Sequence, residues 1–459
     1  MSYIMLVSDM APTDQFTGGI VLEQIMKSLE CSRIDLRILV DAKLANYRVS
    51  RLSNYGDISW FIKPNENWNG VPKLLARRGE RFAKNESLAI ASILLRDISR
   101  NRPDHLILVI QGQTSIRIAE ELAKVGIPYT CVHWDPWRWW AKAQKVPKIS
   151  DSEISHSYGV INASGFHLVP TAAFAAHYKI EQERFLPLFP SMSDQVTSEV
   201  LKESVIKVAF VGQYYAKKQI DHFLSTLDHL GWKFENRPVE LHIFNKEIKF
   251  VGKNFVNHGW MNYEALPTII SECDFALLPY PDSEEAPDAF NTSFPSKLST
   301  YISANLPILY LGPKGSSVES IVEQCGVELC HLFSAEELTL AIEALIVNRT
   351  TFQDQGKAIY REYFSREAQG SLLSEWKRLN SISDTYEKGR HNFAPKTIRS
   401  YLHVGISRKY YSLIFQNLFG VQPKKIIGLL RLGPFGLLKK ILRSMIHRLK
   451  KLSMKIISL

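Results

Sequence analysis

The sequence predicts an α/β protein of two Rossmann-like domains facing a cleft, followed by a basic amphipathic helical C-terminal tail. Three observations carry this. Short apolar runs alternate with amphipathic stretches over most of the chain, the pattern of parallel βαβ units. At 459 residues the chain accommodates two such domains with a remainder. Charge is also segregated. Residues 388–459 hold 16 Lys/Arg and no Asp/Glu, so the rest of a chain of net charge +10 holds 40 basic and 46 acidic residues, a balance of −6. Composition is globular, 45% hydrophobic and 22% charged, without repeats or low-complexity tracts. The expected boundaries are 1–180 for an N-terminal domain, 181–204 for a linker, 205–350 for a second domain, 351–387 for a helix crossing back, and 388–459 for the tail.

In chain order, Tyr3–Ser8 is apolar enough for a strand covered on both faces. MSYIMLVSDM is too short, and lacks the positive start, for a signal peptide. A loop and a helix over Ile20–Leu29 follow. Gly18 and Gly19 precede that helix as a pair, without G-x-G-x-x-G spacing, which suits a Rossmann-like opening or a plain turn. Further strands are predicted at Ile34–Val40, His105–Ile110 and Tyr129–His133, with helices at Leu88–Ser99 and Ser115–Lys124. The third of these strands runs into VHWDPWRWW. Ligands of parallel sheets bind beyond the carboxyl ends of strands, so His133 and Asp135 are candidate catalytic residues. An imidazole exchanges protons near neutral pH or donates a hydrogen bond to a ligand oxygen. The tryptophans there can stack on the apolar face of a ligand, pack against a membrane or a neighbouring domain, or serve as core, and His133 can equally be a hydrogen-bonded core residue. Gly165–Pro170 reads as a strand, with a helix after Thr171, and FLPLFP as part of the linker.

The second domain opens with the strand Val205–Val211 and continues GQYYAKKQIDHFLSTL. Val239–Phe244 and Phe275–Pro279 are strands, with Gly259-Trp260 in a turn and a helix from Tyr263 between them. The loop with Glu284, Glu285 and Asp288 suits a lid or an ordinary solvated loop. Residues 294–315, FPSKLSTYISANLPILYLGPKG, are the organising stretch. Pro295 presets a helical φ and Ser296 can cap the first turn. Leu298, Tyr301 and Ile302 share one face, Asn305 ends the helix, LPILYL is a buried strand, and Gly312–Ser317 opens another helix. Two helix N-termini beside Lys297 and Lys314 would suit a phosphate. A helix near Val318–Cys325, a strand near Val327, and helices over Ala335–Val347 and Phe352–Leu379 follow.

The five cysteines, at 31, 131, 273, 325 and 330, show no zinc-ligand spacing, so no metal is expected and a reducing compartment is. No run of 18 apolar residues exists, so no spanning helix is expected. In 433–456, Leu438, Ile441, Leu442, Met445, Leu449 and Leu452 form a stripe, and Lys439, Lys440, Arg443, Arg448, Lys450, Lys451 and Lys455 largely fill the rest. Such a helix suits an anionic membrane surface, with 420–459 as the anchor, or alternatively a protein core or partner. Nucleic acid is not expected as a partner, because no groove-reading motif accompanies the charge.

Residues 294–315 resemble the donor-sugar site of GT-B glycosyltransferases of the family-4 type (glycosyl transferases group 1), which often reads Pro-Ser-Lys-Leu-x-Glu-Tyr-x-x-x-Gly-x-Pro-Val. Pro295, Ser296, Lys297, Leu298, Tyr301 and Pro307 match in register. The family's Glu is Thr300 here, its Gly is Asn305, and a second Glu eight residues before the first is Thr292. GQYYAKKQ resembles the family's Gly-Arg-x-x-x-x-Lys-Gly: Gly212 and Lys218 match, and Gln213 replaces Arg. The resemblance spans about Tyr3–Leu379. It implies a GT-B fold and transfer of a sugar from a nucleotide-sugar donor, without cofactor or metal and with retention of configuration. It implies donor binding by Gly18, Gly19, Gly212, Gln213, Lys218, Gly259, Trp260, Ser296, Lys297 and Thr300, and catalytic roles for His133 and Asp135. Together with the tail, it implies a lipid-linked or polysaccharide acceptor in bacterial surface-glycan biosynthesis. The enzyme would be cytoplasmic, peripheral at the inner face of the cell membrane. The missing carboxylates and Arg keep a second reading in view, a catalytically silent GT-B module acting as a scaffold for a partner glycosyltransferase. A nucleotide-sugar epimerase is a third, disfavoured by the tail.

Overall fold

The computed structural model describes residues 2–13, 17–40, 55–71, 73–143, 151–192, 195–196, 204–214, 216–245, 250–284, 287–324, 327–330 and 334–380. The expectations for the tail, 388–459, and for Glu285 lie outside the described residues. The first domain runs β1 (Tyr3–Ser8), α1 (Thr17–Ser28), β2 (Arg33–Val40), β3 (Tyr55–Ile62), α2 (Lys73–Asn101), β4 (His105–Ile110), α3 (Gln113–Lys124), β5 (Thr130–His133), α4 (Trp137–Ala143), α5 (Asp151–Asn162), β6 (Phe166–Val169), α6 (Ala172–His177) and β7 (Phe185–Pro187). Its sheet is parallel, in the order β3-β2-β1-β4-β5-β6-β7.

The apolar runs do not alternate with polar residues because both faces of this sheet are covered. Met5, Val7, Leu106 and Leu108 pack with Leu94, Ile98 and Ile116 of α2 and α3. Their neighbours Ile4, Leu6, Ile107 and Val109 face the other way, onto Leu22 and Ile25 of α1. Every residue of such a strand is core, as a sheet with helices on both sides requires.

The second domain comprises β8 (Ile206–Val211), α7 (Lys217–His229), β9 (Lys233–Phe234), β10 (Arg237–Phe244), β11 (Phe255–Asn257), α8 (Leu266–Ile270), β12 (Phe275–Pro279), α9 (Pro287–Thr292), α10 (Lys297–Ser303), β13 (Ile308–Leu311), α11 (Glu319–Gln324), β14 (Val327–Cys330), α12 (Ala335–Val347) and α13 (Arg349–Ile359). Its parallel order is β11-β10-β8-β12-β13-β14, with β9 antiparallel on β10. In each sheet the order reverses once, between β1 and β4 and between β8 and β12. Crevices at such reversals, beyond the strands' carboxyl ends, are where open α/β sheets bind ligands.

The helix expected over Phe352–Leu379 is instead three pieces. After α13, a π-helical turn spans Tyr360–Phe364, and α14 (Arg366–Leu379) begins at Ser365, whose hydroxyl accepts from Ala368 N at 3.1 Å. The break has a physical cause. Phe364 and Tyr360 are buried in the second domain's core, and the Tyr360 hydroxyl donates to Met192 O at 3.1 Å, holding the crossing segment there. α14 then joins the first domain's core through Leu373 and Trp376. Trp376 is fully buried, and its Nε1 donates to Thr130 Oγ1 at 2.9 Å. Helix α2 reaches 15 residues further toward the N-terminus than the predicted Leu88 start, because KLLARRGERFAKNE is helical without a strong apolar face. Strand β3, an edge strand with much of its length exposed, carries too few buried residues to be read from the sequence. Among the described residues no helix is long and apolar enough to cross a membrane.

Candidate active site

Lys297 lies at the reversal of the second sheet. Tyr301, one turn further along α10, fixes this helix to both strands there: its hydroxyl accepts from Val211 N at 3.0 Å and donates to Leu277 O at 3.0 Å. Lys297 thereby points under the turn that follows β8. Its Nζ donates to Gln213 O at 3.5 Å and stands 4.8 Å from the Phe210 ring centroid. Gly212 makes this turn at φ +82, a region that favours glycine, and its N–H bonds Phe244 O at 3.1 Å. The lysine is 8% exposed, and burial lowers its pKa from 10.5 to about 7. A cation held at the edge of neutrality, at the carboxyl edge of a sheet, is suited to an incoming anion.

The approach to α10 is tied to the other domain. Asp135, just past β5, accepts a hydrogen bond from Ser293 Oγ at 3.2 Å, and Thr171 Oγ1 donates to Thr292 O at 3.3 Å. The Ser293 carbonyl in turn accepts from Tyr280 Oη at 2.9 Å and Ser317 Oγ at 2.7 Å. Burial raises the Asp135 pKa, and the Ser293 bond opposes this. The Asp135 carboxylate, a candidate catalytic group, is thus bonded to Ser293, while the His133 ring pairs with His167. Lys27 of α1 adds a third link, to Glu264 at 2.8 Å.

His133 belongs to the first domain's interior. It is 4% exposed, its Nε2 lies 3.1 Å from His167 Nδ1, and its ring stacks on His167 and tilts against Phe174. Burial and the neighbouring imidazole hold it well below the usual histidine range. Its ring is a core group between β5 and β6.

The other predicted residues distribute as follows. Lys218 is largely exposed and pairs with Asp282 at 2.8 Å, toward the acidic loop rather than the Gly212 turn. Gln213 is exposed and offers its carbonyl to Lys297. Ser296 precedes α10 but makes no side-chain cap, because its own backbone is already helical; instead its carbonyl accepts from Ser299 Oγ at 2.7 Å. Thr300 and Thr292, which stand where the resembled family has its two Glu, are 2% and 0% exposed and bring no carboxylate to the site. Gly259 adopts φ +74 after β11, and Trp260 beside it is 47% exposed. The helix expected near Val318–Cys325 is α11, Glu319–Gln324, but the Gly315 N–H ahead of it, expected to face a phosphate, bonds the Glu319 carboxylate instead. Gly18 and Gly19 lie inside the first turn of α1, where a Cβ would meet Met10 Sδ at 2.2 Å or Thr13 Cγ2 at 2.4 Å. The pair admits the chain's own loop over the helix.

The reversal of the first sheet carries a group of charges that no motif announced. Lys63, after β3, bonds Asp9, after β1, at 3.3 Å and Glu66 at 2.9 Å. Glu66 accepts from Thr114 N at 2.6 Å and Thr114 Oγ1 at 2.7 Å, at the start of α3. A Cβ at Gly112 would meet Glu66 Oε2 at 2.3 Å, so glycine there makes room for the carboxylate. All three charged side chains are at most 12% exposed, and Asp9 Oδ1 is buried without a partner among the described residues.

No family model matches the chain, and no curated protein matches it either. Solved structures do. The N-terminal domain of trehalose-6-phosphate phosphatase from Candida albicans aligns at TM-score 0.57 and 9% identity, over 83% of this chain and 97% of that one. The α,α-trehalose 6-phosphate synthase of Burkholderia multivorans aligns at TM-score 0.55 and 10% identity, over 86% and 99%. The UDP-forming α,α-trehalose-phosphate synthase of Burkholderia vietnamiensis aligns at 0.54 and 11%, over 85% and 100%. The chain has the GT-B fold. In this GT-B chain the lysine predicted from Pro295-Ser296-Lys297 stands at the second sheet's reversal. The charged group at the first reversal was missed because Asp9, the pair Lys63 and Glu66, and Gly112 come from three separate loops. Only the placement of each just after a strand could have hinted at it.

Proposed function

We propose that the protein is a glycosyltransferase that moves a sugar from a nucleotide-sugar donor to a glycan acceptor. The observation that carries this is the buried Lys297 beneath the Gly212 turn, at the sheet's reversal. Transfer from a nucleotide sugar breaks the bond between the anomeric carbon and a phosphate oxygen, and the leaving nucleoside diphosphate gains negative charge. A lysine fixed in a low-dielectric site, with Gly212 leaving the backbone open to close approach, stabilises that charge as it develops. The UDP-forming synthase that shares the fold gives the same class of leaving group by its name. Retention of configuration, a lipid-linked or polysaccharide acceptor, and action at the cytoplasmic membrane face complete the proposal. The family resemblance supports the first, and the basic, acid-free composition of 388–459 supports the others.

Asp135 takes a place beside the donor by its bond to Ser293, four residues before Lys297. In this reading it couples closure of the two domains to the donor pocket. Lys218, at the start of α7, ties that helix to the loop of Asp282 and Glu284, which in this reading acts as a lid over the donor.

The test is consumption of nucleotide sugars by the full chain, supplied with membrane lipids as acceptor. Wild type should release a nucleoside diphosphate from one donor, and Lys297→Ala should lose at least 100-fold in rate while remaining folded. A folded wild type that consumes no donor across UDP-, GDP-, dTDP- and CMP-sugars would replace this reading with the scaffold, for which the buried Thr292 and Thr300 already speak.

A further inference from the structure

Three metal-ligating side chains meet on one face of the first sheet. Cys131 and His133 are two residues apart on β5 and so point the same way. His167 stands directly across from Cys131 on β6. The Cys131 sulfur and one nitrogen of each histidine lie within 4.8 Å of one another, and all three residues are buried. We propose that Cys131, His133 and His167 form a site for a divalent ion of the zinc class.

The donor set fits such an ion. Thiolate and imidazole are the ligands that zinc prefers, and three of them leave a tetrahedral ion one further position. Two imidazole nitrogens on a tetrahedral zinc are roughly 3.3 Å apart, given bonds of about 2.0–2.1 Å. His133 Nε2 and His167 Nδ1 are already at 3.1 Å. Drawing the sulfur in requires a movement of about 1 Å, within the reach of a χ1 adjustment.

The surrounding hydrogen bonds prepare the ring. Ser164 Oγ donates to Phe166 O at 3.2 Å, so it meets His167 Nε2 at 3.0 Å as an acceptor. His167 is then protonated on Nε2, and its Nδ1 lone pair faces His133. A second partner that fixes the tautomer in this way is characteristic of metal-binding histidines. Without an ion, the His133–His167 contact holds only if His133 carries its proton on Nε2. An ion replaces that proton, and His133 shifts its proton to Nδ1. The thiol proton of Cys131 is released to solvent on binding, and the thiolate balances one of the ion's two charges.

The site joins the end of β5 to β6, two residues before Asp135. A bound ion would hold the segment that reaches Ser293, so its role is to position. Sequence spacing did not show it, because Cys-x-His and a lone histidine 34 residues later match no zinc pattern.

The experiment is titration of the chelator-treated full chain with Co²⁺, which takes zinc sites and reports its ligands by absorption. One equivalent should produce the visible bands of four-coordinate cobalt with a near-ultraviolet thiolate band, and Zn²⁺ should abolish both. Cys131→Ser should lose the thiolate band, and His167→Gln should weaken binding at least tenfold. Circular dichroism checks that the variants fold. The proposal is overturned if folded wild type takes up no cobalt at micromolar concentration, or binds it without a thiolate band. It is overturned equally if the bands survive unchanged in both variants. Any of these three results leaves Cys131, His133 and His167 as a hydrogen-bonded core cluster.

Discussion

Raising the pH from 7 to 9 should weaken binding of a nucleoside diphosphate by about 50-fold, because the empty protein's Lys297 loses its proton in that interval. The magnitude follows from the pKa of about 7 that burial imposes, against 10.5 for an ordinary lysine. A bound diphosphate must first have the ammonium restored, so the apparent Kd grows as one plus ten raised to the pH less about 7. That factor is about 2 at pH 7 and about 100 at pH 9, provided the bound lysine titrates above this range. The phosphate's own last proton is gone by about pH 7.5, its pKa being about 6, so the lysine governs the slope above that. The sign for stability is opposite. The folded pKa lies below the unfolded one, so between about pH 7 and 10 the folded, empty protein holds fewer protons than the unfolded chain. This group therefore adds stability as pH rises through that window. Calorimetry at pH 8.5 in buffers of different ionisation heat should show uptake of nearly one proton on binding. Lys297→Met should bind weakly with no such uptake. A Kd that stays flat from pH 7.5 to 9, or an equal slope in the methionine variant, would refute the assignment of the anion site to this lysine.

Three further outcomes are expected. Trp376→Ala should cost about 3–5 kcal/mol in denaturant unfolding, since it opens a cavity in the first domain's core and strands Thr130 Oγ1; a loss under 1 kcal/mol would mean that α14 is not part of that core. Lys218→Ala should change stability by less than about 0.5 kcal/mol and the nucleotide Kd by less than about twofold, as an exposed pair to Asp282 implies. A double-mutant cycle of Asp135→Ala and Ser293→Ala should give a coupling of about 1 kcal/mol in thermal unfolding, and additivity would show that this interdomain bond is not formed in solution.

Much of this architecture was legible because parallel sheets covered on both sides write themselves as unbroken apolar runs. Tyr3–Ser8, His105–Ile110 and Phe275–Pro279 were read to the residue for that reason. Strand β3 escaped because an edge strand with exposed Ile58, Trp60 and Ile62 has no buried face to give it a period. The break before α14 escaped because Phe364 and Tyr360 are recruited by the other domain's core, a tertiary demand that local pattern does not carry. In the site, Lys297 was legible from its place at a helix start beside a buried strand, and Gly212 from the family resemblance, since both depend on a short local motif. The partners of Asp135 and His133 were not: Ser293 lies 158 residues away and His167 lies 34 away, across a strand pairing. A motif names side chains, and what they touch is decided by how two separate segments pack.

The central claim, that Lys297 lies in a nucleotide-sugar donor site, is tested most directly by thermal shift of the full chain against UDP, GDP, dTDP and CMP. Ligand at a hundred times its Kd adds about 2.7 kcal/mol to the folded state, a rise of several degrees. The account predicts a clear shift with one nucleotide at pH 7, lost in Lys297→Ala. No shift with any of the four from folded wild type, or a shift that the alanine variant retains in full, would contradict it.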